Sequence, residues 1–157
     1  MPSYLDICIE SCYKQGVVLD TNVLSELMRK VPATDVIRWL DAFDPADVFM
    51  TAVTAAELMY GVARLPEGRG KQDLSVKVGA LLAEDFVDQV LPFDGLAAVH
   101  YADIVALRER AGRPISMADA QTAAICRQWA ADVATRNVAD FIDTGVRVVN
   151  PWDTTRQ

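Results

Sequence analysis

A three-layer α/β/α sandwich around a central parallel five-stranded sheet is the fold class this sequence predicts. Three observations carry it. Short, unbroken apolar runs recur along the 157 residues, stretches with apolar residues at helical spacing separate them, and Gly or Pro closes several of those stretches. Strands covered on both faces read as continuous apolar runs, and parallel neighbours need helical crossovers, which are right-handed almost without exception.

The elements follow in order. Val17–Asp20 (V-V-L-D) is a first strand that stops at a carboxylate. A helix near Asn22–Arg29 leads to Pro32, and a second helix spans about Thr34–Phe43. Val48–Thr51 is the second strand, followed by a helix over Ala55–Leu65 that ends before Pro66. Pro66–Lys71 (P-E-G-R-G-K) reads as a basic, Gly-rich turn, after which a long helical stretch reaches about Glu84. Val87–Leu91 is the third strand. Asp94–Ala111 is a helix closed by Gly112 and Pro114, and Ala118–Trp129 is a further helix. Val133–Ala134 and Val146–Val149 complete the sheet. Residues 1–16 differ, mixing polar residues with Cys8 and Cys12 before Gly16. They are expected to form an extension, with a short helix, ahead of one domain over 17–153 and a tail over 154–157. Val17 or Val18 is an alternative expected start.

Composition bounds the function. A hydrophobic fraction of 52% and a charged fraction of 24% fit a single globular domain and not a disordered chain. No apolar stretch approaches the roughly 18 residues that span a bilayer, and the N-terminus does not have the pattern of a signal peptide, so no membrane role and a cytoplasmic location are expected. The net charge of −7 weighs against coating nucleic acid through a broad basic face. It leaves open an enzyme that meets a phosphodiester through a metal ion and a few arginines. Cys8, Cys12 and Cys126 make no even disulfide framework or zinc-finger spacing. His100 is the sole histidine, which removes Ser-His-Asp and Cys-His mechanisms unless it serves, and nothing in its surroundings indicates that.

Acids recur where strands end. In such a sheet ligands bind beyond the carboxyl ends of the strands. Asp20 ends the first strand, Glu57 lies early in the helix after the second, and Asn137 and Asp140 follow the fourth. Asp119 joins them if its helix runs back down the sheet to feed strand four. Each has a purely local explanation. Thr54/Glu57, Ser116/Asp119 and Asn137/Asp140 all match capping boxes, and Asp20 can begin an Asx turn or cap the next helix. Capping does not account for their convergence among apolar neighbours. Gathered carboxylates repel unless a cation holds them, and oxygen ligands without histidine or thiolate favour Mg²⁺ or Mn²⁺. Such an ion can polarise a phosphodiester and activate water, so no nucleophilic side chain is needed.

Four stretches together resemble the successive motifs of the PIN-domain family. They are L-D-T-N (Leu19–Asn22), A-A-E-L-M-Y-G (Ala55–Gly61), M-A-D-A-Q-T-A-A-I (Met117–Ile125) and A-T-R-N-V-A-D-F (Ala134–Phe141). Within it they resemble VapC-type toxins of bacterial type II toxin–antitoxin modules, and N-P-W-D (Asn150–Asp153) points to the FitB-like branch. The resemblance implies an Mg²⁺- or Mn²⁺-dependent endoribonuclease restrained by a cognate VapB-like antitoxin. Matched by position, Asp20, Glu57 and Asp119 are the metal-binding acids. The fourth acid position falls on Asn137, which offers a carbonyl oxygen but no charge, with Asp140 one turn on as a candidate substitute. Thr21, Asn22 and Thr135 would support the acids.

RNA, with tRNA and rRNA both open, requires cations. Arg64, Arg69, Lys71 and Arg136 are the candidates, against the plainer reading of a solvated turn and a surface arginine. Leu24, Leu27, Met28, Trp39 and Leu40 are expected mostly in the core, the rest lining a groove for an antitoxin helix. The family also implies a homodimer and a larger heteromer with antitoxin. Two rivals stand beside this. An aspartyl-nucleophile phosphohydrolase of the haloacid dehalogenase type wants a second Asp where Asn22 stands, and a non-catalytic PIN-like binding module draws its support from Asn137.

Overall fold

The computed structural model describes residues 16–153, so the expected extension (save Gly16), Cys8, Cys12 and the tail lie outside the described residues. Five parallel strands pair in the order β3-β2-β1-β4-β5, which is the predicted architecture. They are β1 (Val17–Leu19), β2 (Val48–Thr51), β3 (Val90–Leu91), β4 (Asp132–Ala134) and β5 (Val148–Val149). Six α-helices stand among the described residues: α1 (Thr21–Leu27), α2 (Thr34–Leu40), α3 (Ala52–Ala63), α4 (Arg69–Ala80), α5 (Gly95–Arg110) and α6 (Met117–Gln128).

The period-two alternation of strand side chains divides the core between the two faces. Val17, Leu19, Val48 and Met50 join Leu24, Val36, Leu58 and Val78 on the α1–α4 side. Val18 and Val133 join Ile104, Ala123, Ile125 and Phe141 on the α5–α6 side. The chain enters this sandwich at Gly16, where a Cβ would lie 2.7 Å from the Phe49 ring and 2.9 Å from the Asp47 carbonyl oxygen. Only glycine fits so close to β2.

Several boundaries differ from the sequence reading, among them the start of α3 at Ala52 instead of Ala55. The third strand begins at Val90, because Asp88 takes a left-handed conformation (φ 58°) that turns the chain before pairing starts. The fifth begins at Val148, after the turn at Gly145 (φ 77°). The supposed turn over Pro66–Lys71 is shorter, since α4 starts at Arg69; a π-helical turn, Leu81–Asp85, ends that stretch.

Candidate active site

The site begins with the way β1 ends. Its central position leaves the carboxyl end between β2 and β4, and Asp20, only 8% exposed, turns the chain into α1. Its backbone amide donates to the Ala134 carbonyl of β4 at 3.0 Å. Its carboxylate takes three hydrogen bonds: Thr21 N–H to Oδ1 at 2.8 Å, Asn22 Nδ2 to Oδ2 at 3.1 Å and Thr135 Oγ1 to Oδ2 at 2.8 Å. Asp20 is therefore the N-cap of α1, as the plainer explanation required, and it is also clamped from the adjoining strand.

Thr135 is the hub of this clamp. Fully buried, its hydroxyl donates to Asp20 and accepts from Asn22 Nδ2 and the Asn137 amide, each at 3.0 Å. A hydroxyl offers one proton and two lone pairs, and all are engaged. Asn22 closes the circuit by accepting the Arg136 amide on Oδ1 at 3.1 Å. Thr21, through its backbone amide, and the Asn22 and Thr135 side chains thus surround Asp20.

Glu57 and Asp119 arrive on helices. The cap of α3 is Thr51, whose hydroxyl accepts the Thr54 amide at 3.1 Å, so Thr54/Glu57 is not a capping box. Glu57 lies in the second turn, away from the helix end. The capping explanation holds for Asp119: Ser116 Oγ accepts its amide at 3.1 Å and donates to its carboxylate at 2.6 Å. It fails for Asn137, whose side chain does not cap the 3₁₀ turn Val138–Phe141.

Electrostatics link these acids. Glu57 is raised above its ordinary carboxylate value by burial first, then by the charge of Asp20 and, less, Asp119, while the Thr21 hydroxyl draws it back. Thr21 Oγ1 itself is buried without a formal hydrogen bond. Asp119 is likewise raised by burial, Asp140 and Asp20, and lowered by the Ser116 hydroxyl and the Arg108 charge. Glu57 and Asp119 therefore feel the charge of Asp20, and Asp119 also that of Asp140, at the carboxyl edge of the sheet. Among the described residues they do not close into a ready-made cluster of three metal ligands.

The cations are divided. Arg136 stacks on Trp152 with Cζ 3.9 Å from the ring centroid, which holds its guanidinium against the indole. Lys71 is engaged by Glu67 at 2.5 Å. Arg64 caps the C-terminus of α3, and Arg69 opens α4; both are exposed. Sequence reasoning missed Arg108, a 5% exposed arginine one turn beyond buried Ile104 on α5. A charge on the buried stripe of a helix was its only signal.

Of the apolar residues on α1 and α2, Leu24 is fully buried, and Leu27, Met28, Trp39 and Leu40 are partly buried against that core. Leu27, Met28 and Leu40 line a cavity of about 580 Å³ with Leu81 and Phe86, bordered by Arg29, Lys77 and Asp85.

The PIN domain family model matches residues 17–146. Toxin FitB of Neisseria gonorrhoeae is 39% identical over 87% of this chain and 98% of its own length. The VapC ribonuclease Y4jK of Sinorhizobium fredii is 35% identical over 87% and 98% respectively. A structure of FitAB bound to an IR36 DNA fragment superposes with a TM-score of 0.80 at 38% identity, covering 87% of this chain and 95% of the other. The chain belongs to the PIN-domain family, on its VapC branch with the FitB-like toxins.

Proposed function

We propose that the protein is a divalent-metal-dependent endoribonuclease, the toxin of a toxin–antitoxin module. The observation that carries this reading is the convergence of acids from four separate stretches of chain, with the charge of Asp20 acting on Glu57 and Asp119 and that of Asp140 on Asp119. Its support is a donor set of hard oxygens without histidine or thiolate, which fits Mg²⁺ or Mn²⁺. Asp20, Glu57 and Asp119 would hold the ion. Bound there, it would supply Lewis-acid polarisation of a phosphodiester and lower the pKa of a water.

The protein's own residues divide the remaining work. Asp20 is oriented before any substrate arrives, since three donors fix its carboxylate. The raised values of Glu57 and Asp119 mark carboxylates that gain most from a neighbouring cation. Asn137 contributes no charge at the fourth position, and Asp140 adds the nearby one. Arg64, Arg69 and Arg136 are assigned to phosphates of the RNA; Lys71 has a smaller part because Glu67 already engages it.

The apolar cavity beside α1 and α2 is assigned to a helix of a VapB-like antitoxin, whose basic side chain would lie among the acids. Among the described residues no helix is long and apolar enough to cross a membrane. The cytoplasm and a homodimer complete this reading.

Cleavage of RNA with Mg²⁺ or Mn²⁺ is the test, run beside Asp20→Asn and Asp119→Asn. Activity that persists in both variants and in EDTA would overturn the proposal.

A further inference from the structure

Arg108 stands at the back of the site and takes no part in the functions assigned above. The residue is 5% exposed. Among the described residues no carboxylate lies within 4.0 Å of it, so a full charge is buried without an ion pair. Burying such a charge is costly unless its donors are satisfied and its field is used. Two of its three nitrogens donate to backbone carbonyls of two loops. Nε donates to Arg113 O at 2.7 Å, and Nη1 donates to Ile142 O at 2.5 Å and Asp140 O at 3.4 Å.

Those loops are not arbitrary. Arg113 begins the short connection to Ser116, which caps α6 and holds Asp119. Asp140 and Ile142 belong to the turn after β4 that carries the other acid on this side. A second tie, the ion pair of Arg113 with Asp143, joins the same two loops from outside.

We infer that Arg108 is a positioning residue that fixes the separation of the Asp119- and Asp140-bearing segments, preparing that side of the site for a divalent cation. The inference rests on the nuclease reading of the site. A planar guanidinium suits it because the donors form a rigid fork that reaches several carbonyls at once, which a lysine ammonium on a mobile stem does not reproduce.

The test compares wild type, Arg108→Lys and Arg108→Met. Folding is checked by circular dichroism, Mg²⁺ uptake by calorimetry, and RNA cleavage by steady-state kinetics. Groups that orient metal ligands typically contribute about 10–100-fold to affinity or activity. Folded Arg108→Met is expected to lose Mg²⁺ affinity in that range, with kcat falling and KM nearly unchanged. Arg108→Lys, which keeps the charge but not the fork, is expected to lose about 10-fold on the same scale. Should Arg108→Met not fold, Arg108→Lys decides alone. Folded variants with wild-type Mg²⁺ uptake and kcat, whatever their melting temperatures, would overturn the inference. Wild-type protein that neither binds Mg²⁺ nor cleaves RNA would remove the nuclease reading and this inference together.

Discussion

The two sides of the acidic site are built differently. On the β1 side, Asp20 is buried and takes three hydrogen bonds, and its neighbours Asn22 and Thr135 are themselves bonded. On the helix side, Glu57 and Asp119 keep fewer partners, and burial and like charge raise them. One side is stabilised by the protein alone. The other is left with repulsion that a bound cation would relieve, so rigidity and affinity are separated within one site.

The substitutions that break this contrast are ordered by expected effect. Asp20→Asn removes the charge at the rigid side. It should reduce cleavage by more than about 100-fold, beyond what supporting groups contribute, in a protein whose circular dichroism is unchanged. Thr135→Val keeps the shape but deletes the hub hydroxyl, leaving Asp20, Asn22 and the Asn137 amide each short of a partner. The expected cost is about 1–3 kcal/mol of stability, read by denaturant titration, and about 10–100-fold in Mg²⁺ affinity, read by calorimetry.

Arg64→Ala with Arg69→Ala should weaken RNA binding and flatten its salt dependence, while Lys71→Ala should change both less. Filter binding at several salt concentrations would check this, and an unchanged slope in the double variant would free those arginines from the assignment.

The smallest effect sharpens the helix side. A carboxylate raised in the folded state holds its proton more tightly there than in the unfolded chain. Below its ordinary value of 4.5, Glu57 is protonated in both states; as pH rises past it toward the raised folded value, stability falls. Metal-free Glu57→Gln should therefore melt a little above wild type at pH 7, an advantage that fades toward pH 4 and that Mg²⁺ reverses. Equal melting curves at all pH values would show that Glu57 carries no such strain.

The layers, the parallel sheet and the order of elements were legible because strand runs and helical spacing report burial directly. Ends were less so: Asp88 and Gly145 shorten β3 and β5 through backbone conformations that hydropathy does not encode. At the site, topology alone brought Asp20, Glu57, Asp119 and Asp140 to one edge. Which cap explanation held was not legible, since Thr51 and Thr54 are equally good acceptors in the sequence and only strand register selects Thr51. Arg108 was missed because its partners are backbone carbonyls, which have no signature in side-chain identity.

The bond from Thr135 to Asp20 spans 115 positions of sequence. A chain emerging from the ribosome makes Asp20 early and must wait for β4 before that carboxylate is gripped. The machinery that is proposed to cut RNA is thus incomplete throughout most of its own synthesis, a delay set by strand order and independent of any inhibitor.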